Sequence, residues 1–200
     1  MTIRPLATAL ASLLLTSACS PTPSDRSRDT SGLHDVPAAE LRPAADAKTL
    51  LDSARALMQR DGFVALVTVD SSGQPRVRTV RAYFDSVDSS RPASGVTVWI
   101  KTRLTTRKVD QIRRHPQVTL YFNDDTRASY ASIMGTAVVH TDPNEAATKR
   151  HFDSADAKFF WPDYPRGFVM IEVQPKWLEY IGPGIENDST TWRPQSVVFK

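Results

Sequence analysis

The run Thr106-Arg107-Lys108 puts two cations where a helix should repel them. Val96 to Lys101 reads as a strand. Thr106 to Arg114 reads as a short helix directly after it, with Val109 and Ile112 turned inward and His115-Pro116 as its stop. Amide dipoles leave partial positive charge at a helix start, so each cation there costs about 0.3–1 kcal/mol. Open N–H groups, a threonine hydroxyl and two cations converging on one spot are explained by a bound anion, above all a phosphate. A third cation, Arg78, lies on the strand-like run Pro75 to Asp85, whose faces alternate Arg76, Arg78 and Val80 against Val77, Thr79 and Arg81. Arginine offers the two-pronged geometry that phosphate oxygens match.

The surrounding elements must hold these residues together. Asp46 to Arg60 reads as an amphipathic helix, with Leu50, Ala54, Leu57 and Met58 on one face and Gly62 as its stop. Phe63 to Val69 reads as a strand, and Asp70-Ser71-Ser72-Gly73 as the turn into Pro75 to Asp85. Ser86 to Gly95 is a loop. Gln117 to Asn123 and Tyr130 to His140 follow as strands, the second interrupted by Gly135, which predicts a bulge or a barrel corner. Asp142-Pro143-Asn144-Glu145 has the signals of a helix start: an Asp cap, Pro first and Glu third. Gly167 to Val173 and Trp177 to Ile181 are the last clear strands, and the tail after Pro183 shows no periodicity. Many antiparallel strands with few helices predict a mainly β fold, a closed or partly closed β-barrel with peripheral helices.

The front of the chain has a different composition. Arg4 is followed by an apolar run from Leu6 to Leu15, then Ser17, Ala18 and Cys19. This is the pattern of a secretory signal, too short for a membrane span. Leu15-Thr16-Ser17-Ala18-Cys19 resembles a bacterial lipobox, which implies lipidation of Cys19, the single cysteine of the chain. Residues 19–45 are rich in Pro, Ser, Thr, Asp and Arg and read as a tether. The expected organisation is a signal over 1–18, a lipidated tether over 19–45, a barrel domain over 46–184 and a C-terminal tail over 185–200. The expected location is outside the cytoplasm, periplasm-facing or at the cell surface, with membrane contact through the lipid alone.

Other chemistries find little support. A net charge of +3 on 200 residues is too small for a nucleic-acid-binding surface. His34, His115, His140 and His151 lack metal-ligand spacing and no second cysteine exists, so no zinc site is expected. Asp124 and Asp125 belong to a turn, and Ser71 and Ser132 lack a nucleophile elbow. Arg103, Arg113 and Arg114 read as surface residues, and Trp161 and Trp177 as packing or dimer residues.

Taken in order, Arg76-Val77-Arg78-Thr79-Val80, Val98-Trp99-Ile100-Lys101-Thr102, Thr106-Arg107-Lys108, His115-Pro116 and Ser132-Ile133-Met134-Gly135-Thr136-Ala137 resemble the FMN-binding split barrel of the pyridoxamine 5′-phosphate oxidase superfamily. Phe160-Trp161-Pro162 and Glu179-Tyr180 are similar to its general-stress-protein branch. The resemblance covers about Leu50 to Ile181. It implies an FMN cofactor, with Arg78, Arg107 and Lys108 on the phosphate beside Thr106. Thr79 and Val80 would lie along the ribityl chain or flavin edge, and Trp99, Ile100, Lys101 and Thr102 at the isoalloxazine and ribityl groups. It also implies a homodimer with the flavin between subunits.

The chain departs from the oxidase pattern where pyridoxamine phosphate would be gripped. Tyr83 stands where the oxidase has Lys, Tyr130 where it has Gln, and Trp192-Arg193-Pro194 does not reproduce its closing Arg-Leu-x-Pro. The implied function is therefore an exported FMN-dependent oxidoreductase acting on a small-molecule substrate or electron donor, with no protein nucleophile or acid–base residue assigned. The alternative is a non-catalytic module that carries or senses flavin, deazaflavin or haem. A weaker reading is a lipoprotein that binds polyanions.

Overall fold

The computed structural model describes residues 41–60, 62–87, 90, 93–151 and 166–199. The signal, Cys19, the tether up to residue 40, His34 and Phe160-Trp161-Pro162 lie outside the described residues.

The described chain is built on one eight-stranded antiparallel sheet. Its strands are β1 (Phe63–Val69), β2 (Pro75–Arg81), β3 (Tyr83–Phe84), β4 (Val98–Arg103), β5 (Gln117–Asp124), β6 (Ser129–His140), β7 (Phe168–Ile181) and β8 (Gln195–Val198). The spatial order is β2-β1-β5-β6-β7-β4-β3, and β8 pairs with β7. The two ends of that order are consecutive pieces of chain. The run 75–84 breaks at Ala82, whose N–H turns to the Gly62 carbonyl at 2.7 Å. Before the break it pairs with β1, and after it with β4. The sheet therefore curls onto itself as a split barrel. The single strand expected over Pro75 to Asp85 is two, because one strand must change partners to close the curl.

Three helices accompany the sheet: α1 (Ala47–Met58), α2 (Arg107–Arg114) and α3 (Ala146–Arg150). The Asp46 carboxylate caps α1 by accepting from the N–H groups of Lys48 at 2.9 Å and Thr49 at 3.2 Å. Leu50, Ala54 and Met58 bury the α1 face in the main core, with Leu66, Leu120 and Ile133 of the strands. Val109 and Ile112 seat α2 against the same core. Among the described residues, no helix is long and apolar enough to cross a membrane.

The strand register shifts between Met134 and Gly135, where Gly135 stands opposite Pro175. A side chain at Gly135 would collide with the Gln174 carbonyl oxygen, so this close approach needs glycine. Here β7 runs unbroken through Gln174-Pro175-Lys176, and the two strands expected over 167–173 and 177–181 are one. Pro175 lacks an N–H, and the irregular ladder at the bulge accommodates that. Asp142 does not start a helix. Its carboxylate accepts from the Asn144 N–H at 2.8 Å in a local turn, and α3 begins at Ala146. The aperiodic tail contributes β8, and Pro43 bridges to Ser196 beside it.

Candidate functional site

In β1, Leu66 and Thr68 point into the barrel between apolar neighbours and are both fully buried. Antiparallel partners share a face, so Arg78, paired with Leu66, points the same way, toward α2. Its guanidinium donates to Thr68 Oγ1 at 2.6 Å and to Gln111 Oε1 at 2.9 Å. Thr68 Oγ1 in turn donates to Gln111 Oε1 at 2.6 Å. This triangle locks Arg78 without neutralising it. Neither positioning residue was singled out from sequence. A threonine at an inward position of an apolar strand, and a glutamine one turn after Arg107, were the available signals.

Lys108 is fixed from β4. Its Nζ donates to Thr102 Oγ1 at 2.9 Å, and Thr102 is buried. Thr106 is the N-cap residue of α2, yet its hydroxyl makes no cap bond and instead donates to the Arg103 carbonyl at 2.9 Å. The first-turn amides of α2 are thus left without a side-chain acceptor. Burial, and then the charges of Arg107 and Arg76, lower the Arg78 pKa. Burial, and then Arg78, lower that of Lys108. Among the described residues, no carboxylate pairs with Arg78, Arg107 or Lys108. Arg76 differs, because its Nε donates to the Asp70 carboxylate at 2.8 Å.

These side chains enclose a cavity of about 630 Å³, lined by Arg76, Val77, Arg78, Thr79, Thr106, Arg107, Lys108 and Gln111. Of the residues expected at a ligand site, Arg78, Thr79, Thr106, Arg107 and Lys108 meet here, and Thr102 reaches the group through Lys108. Val80 and Ile100 are core residues. Trp99 and Lys101 alternate with Ile100 and Thr102, so their side chains lie on the opposite face of β4. Trp99 packs there with Phe168, Met170 and Tyr83. Its indole lies between the His140 ring at 5.3 Å and the His151 ring at 5.0 Å, and its Nε1 donates to Asp85 at 3.2 Å. The Lys101 ammonium sits 4.2 Å above the Tyr83 ring. His140 is held between Glu145 at 2.9 Å and Glu172 at 3.0 Å. No metal-binding group of three or more His, Cys, Asp or Glu exists among the described residues. Tyr130, far from this face, packs on Tyr121 with ring centres 5.4 Å apart.

The family model for pyridoxamine 5′-phosphate oxidase matches residues 50–182, from α1 to the end of β7. The chain belongs to the pyridoxamine 5′-phosphate oxidase family. Three solved structures share the fold. One is a Clostridium acetobutylicum protein related to general stress protein 26 of B. subtilis. It is 17% identical, with a TM-score of 0.57, over 76% of this chain and 96% of that one. A pyridoxamine 5′-phosphate oxidase-related, FMN-binding protein from Nostoc punctiforme is 14% identical, with a TM-score of 0.50, over 77% and 94%. A heme-binding protein from Mycobacterium smegmatis is 17% identical, with a TM-score of 0.54, over 79% and 59%. No curated protein matches the chain in sequence. At these identities the three structures establish the fold alone.

Proposed function

We propose that this chain binds FMN and works as a flavin-dependent oxidoreductase, with the cofactor phosphate held at the start of α2 by Arg78, Arg107 and Lys108. The observation that carries this reading is three cations around one cavity with no carboxylate partner among the described residues. A doubly charged phosphate would neutralise most of that charge and accept from the open amides of α2. The cavity volume of about 630 Å³ falls within the roughly 300–1,000 Å³ of small-molecule sites. The family match and the FMN-binding relative from Nostoc punctiforme support the same choice.

The bound flavin would supply hydride or electron transfer. The chain's own residues bind and orient: Thr102 aims Lys108, and Thr68 with Gln111 aims Arg78. A flat ring also needs apolar walls, and among the described residues Val77 is the one apolar side chain lining the cavity. Val77 belongs to the outer face of β2, β1 and β5. There Val77, Phe63 and Tyr121 are 67%, 59% and 40% exposed. A second copy laid on this face would cover them and complete the ring's wall, which supports a homodimer.

A carrier or sensor is the second reading. One observation favours it: among the described residues, the cavity lining holds no carboxylate, imidazole, thiol or phenol to move a proton to or from a substrate. The visible spectrum of the purified full chain tests both. Flavin absorbance that survives desalting, and is lost in the Arg107→Ala/Lys108→Ala variant, supports FMN at this site. A Soret band transfers the reading to haem, and a protein that stays colourless after incubation with FMN overturns it. NAD(P)H oxidation by a yellow preparation distinguishes enzyme from carrier. The proposal extends to an exported lipoprotein tethered through Cys19. Cys19→Ser should move the protein from the membrane to the soluble fraction, and unchanged membrane association would refute the anchor.

A further inference from the structure

A second cavity, of about 340 Å³, lies between α1 and the far end of the barrel. Ser53, Ala56, Leu57 and Arg60 line it from α1 and the turn after it. Arg127, Ser129, Tyr180 and Pro183 line the other side. It is separate from the cationic cavity. In register, Arg78 lies opposite Leu66 and Leu66 opposite Leu120, whereas the second cavity lies toward Asp124, near Arg60, and the two cavities share no lining residue.

Two features mark this cavity as built to hold something. Tyr180 and Ser129 are 3% and 2% exposed as residues, and both line the cavity. A hydroxyl on a cavity wall can donate to, or accept from, whatever occupies the cavity. Both border the cavity, and the chain keeps the space beside them open. A side chain at Gly182 would collide with the Tyr180 hydroxyl and the Ser129 Cβ. The second feature is charge. Arg60 pairs with Asp124, whose carboxylate also accepts from the Thr126 hydroxyl at 2.6 Å. Arg127 has no ion pair among the described residues. Two guanidinium groups against one carboxylate leave about one positive charge over a pocket of donors. Ala56, Leu57 and Pro183 form its apolar wall.

We infer that this cavity is a binding site for a small organic anion. The anionic head, a carboxylate or a phosphate, would meet Arg127, Arg60, Tyr180 Oη and Ser129 Oγ, and a short apolar body would lie on Ala56, Leu57 and Pro183. Donors that converge from a buried phenol, a buried serine and two arginines match oxyanion oxygens, which accept from several directions at once. The site does not depend on FMN at α2.

The test uses the full chain carrying Arg107→Ala and Lys108→Ala, so that the α2 cavity does not take up the probe. Sodium butyrate and butyl phosphate are titrated by calorimetry. At least one should bind saturably with one site per chain, and comparison of the two identifies the head group. Tyr180→Phe removes one oxygen and keeps the ring. Arg127→Ala changes an exposed side chain. Each should weaken binding at least fivefold with an unchanged melting temperature. Failure of both probes to bind, or equal affinity in both variants, overturns the proposal.

Discussion

Replacing Lys108 with Met separates a ligand-binding lysine from a structural one. Lys108 Nζ donates to Thr102 Oγ1 at 2.9 Å, while burial and the nearby Arg78 disfavour its charge. Methionine keeps the unbranched apolar stem and drops the charge. Losing this charge-assisted hydrogen bond costs about 1.5–3 kcal/mol of stability before any offset. Relief of the burial penalty and of repulsion from Arg78 opposes that loss. The ligand-free variant should therefore unfold within about 1 kcal/mol of the parent in urea. Its effect on FMN should be large, because one charge-assisted hydrogen bond to phosphate contributes about 1.5–3 kcal/mol. At about 1.4 kcal/mol per tenfold, Kd rises roughly 10- to 150-fold. Flavin fluorescence quenching reads that affinity. A variant destabilised by more than about 2 kcal/mol with an unchanged FMN Kd would refute the reasoning, since Lys108 would then serve the fold rather than the ligand.

Gln111→Leu should leave the fully buried Thr68 hydroxyl without an acceptor and free one edge of Arg78. A stability loss of about 1–3 kcal/mol in denaturant is expected, together with weaker FMN binding. Gly135→Ala should push a methyl group into the Gln174 carbonyl and cost about 1–3 kcal/mol by the same assay, without changing flavin affinity directly. His151 gives a pH dependence. Burial lowers its pKa from 6.5 despite the opposing pull of Asp85, so the fold favours the neutral ring. That contribution is complete above pH 6.5 and is lost as pH falls through the lower folded value. The melting temperature should drop across this acid range, and His151→Gln should flatten that part of the profile.

Elements with strong local signals were legible in the sequence. The α1 stripe of Leu50, Ala54, Leu57 and Met58 became a core face, and Gly135 became the bulge of β6. Less was legible where tertiary pairing overrode local rules. Pro175 reads as a strand breaker, but the bulge opposite it makes its missing N–H harmless. Asp142-Pro143-Asn144-Glu145 has the chemistry of a helix start, but the Asp142 carboxylate closes a turn instead. The four residues of β8 alternate too briefly to stand out, and they depend on β7 for pairing. At the site, the cations were visible because like charges at a helix start are anomalous. Their supports, Thr68 and Gln111, were not, since their roles exist only once β1 and α2 meet. The strand alternation that carries Thr102 to Lys108 also carries Trp99 and Lys101 to the other face of β4.

The most direct measurement compares FMN with riboflavin, which differs by the phosphate alone, in equilibrium titrations of the full chain at one fixed salt concentration. If Arg78, Arg107 and Lys108 grip the phosphate, FMN should bind at least about 100-fold more tightly than riboflavin, and raising the salt should narrow the gap. Equal affinities for the two flavins, or binding of neither, would contradict the account.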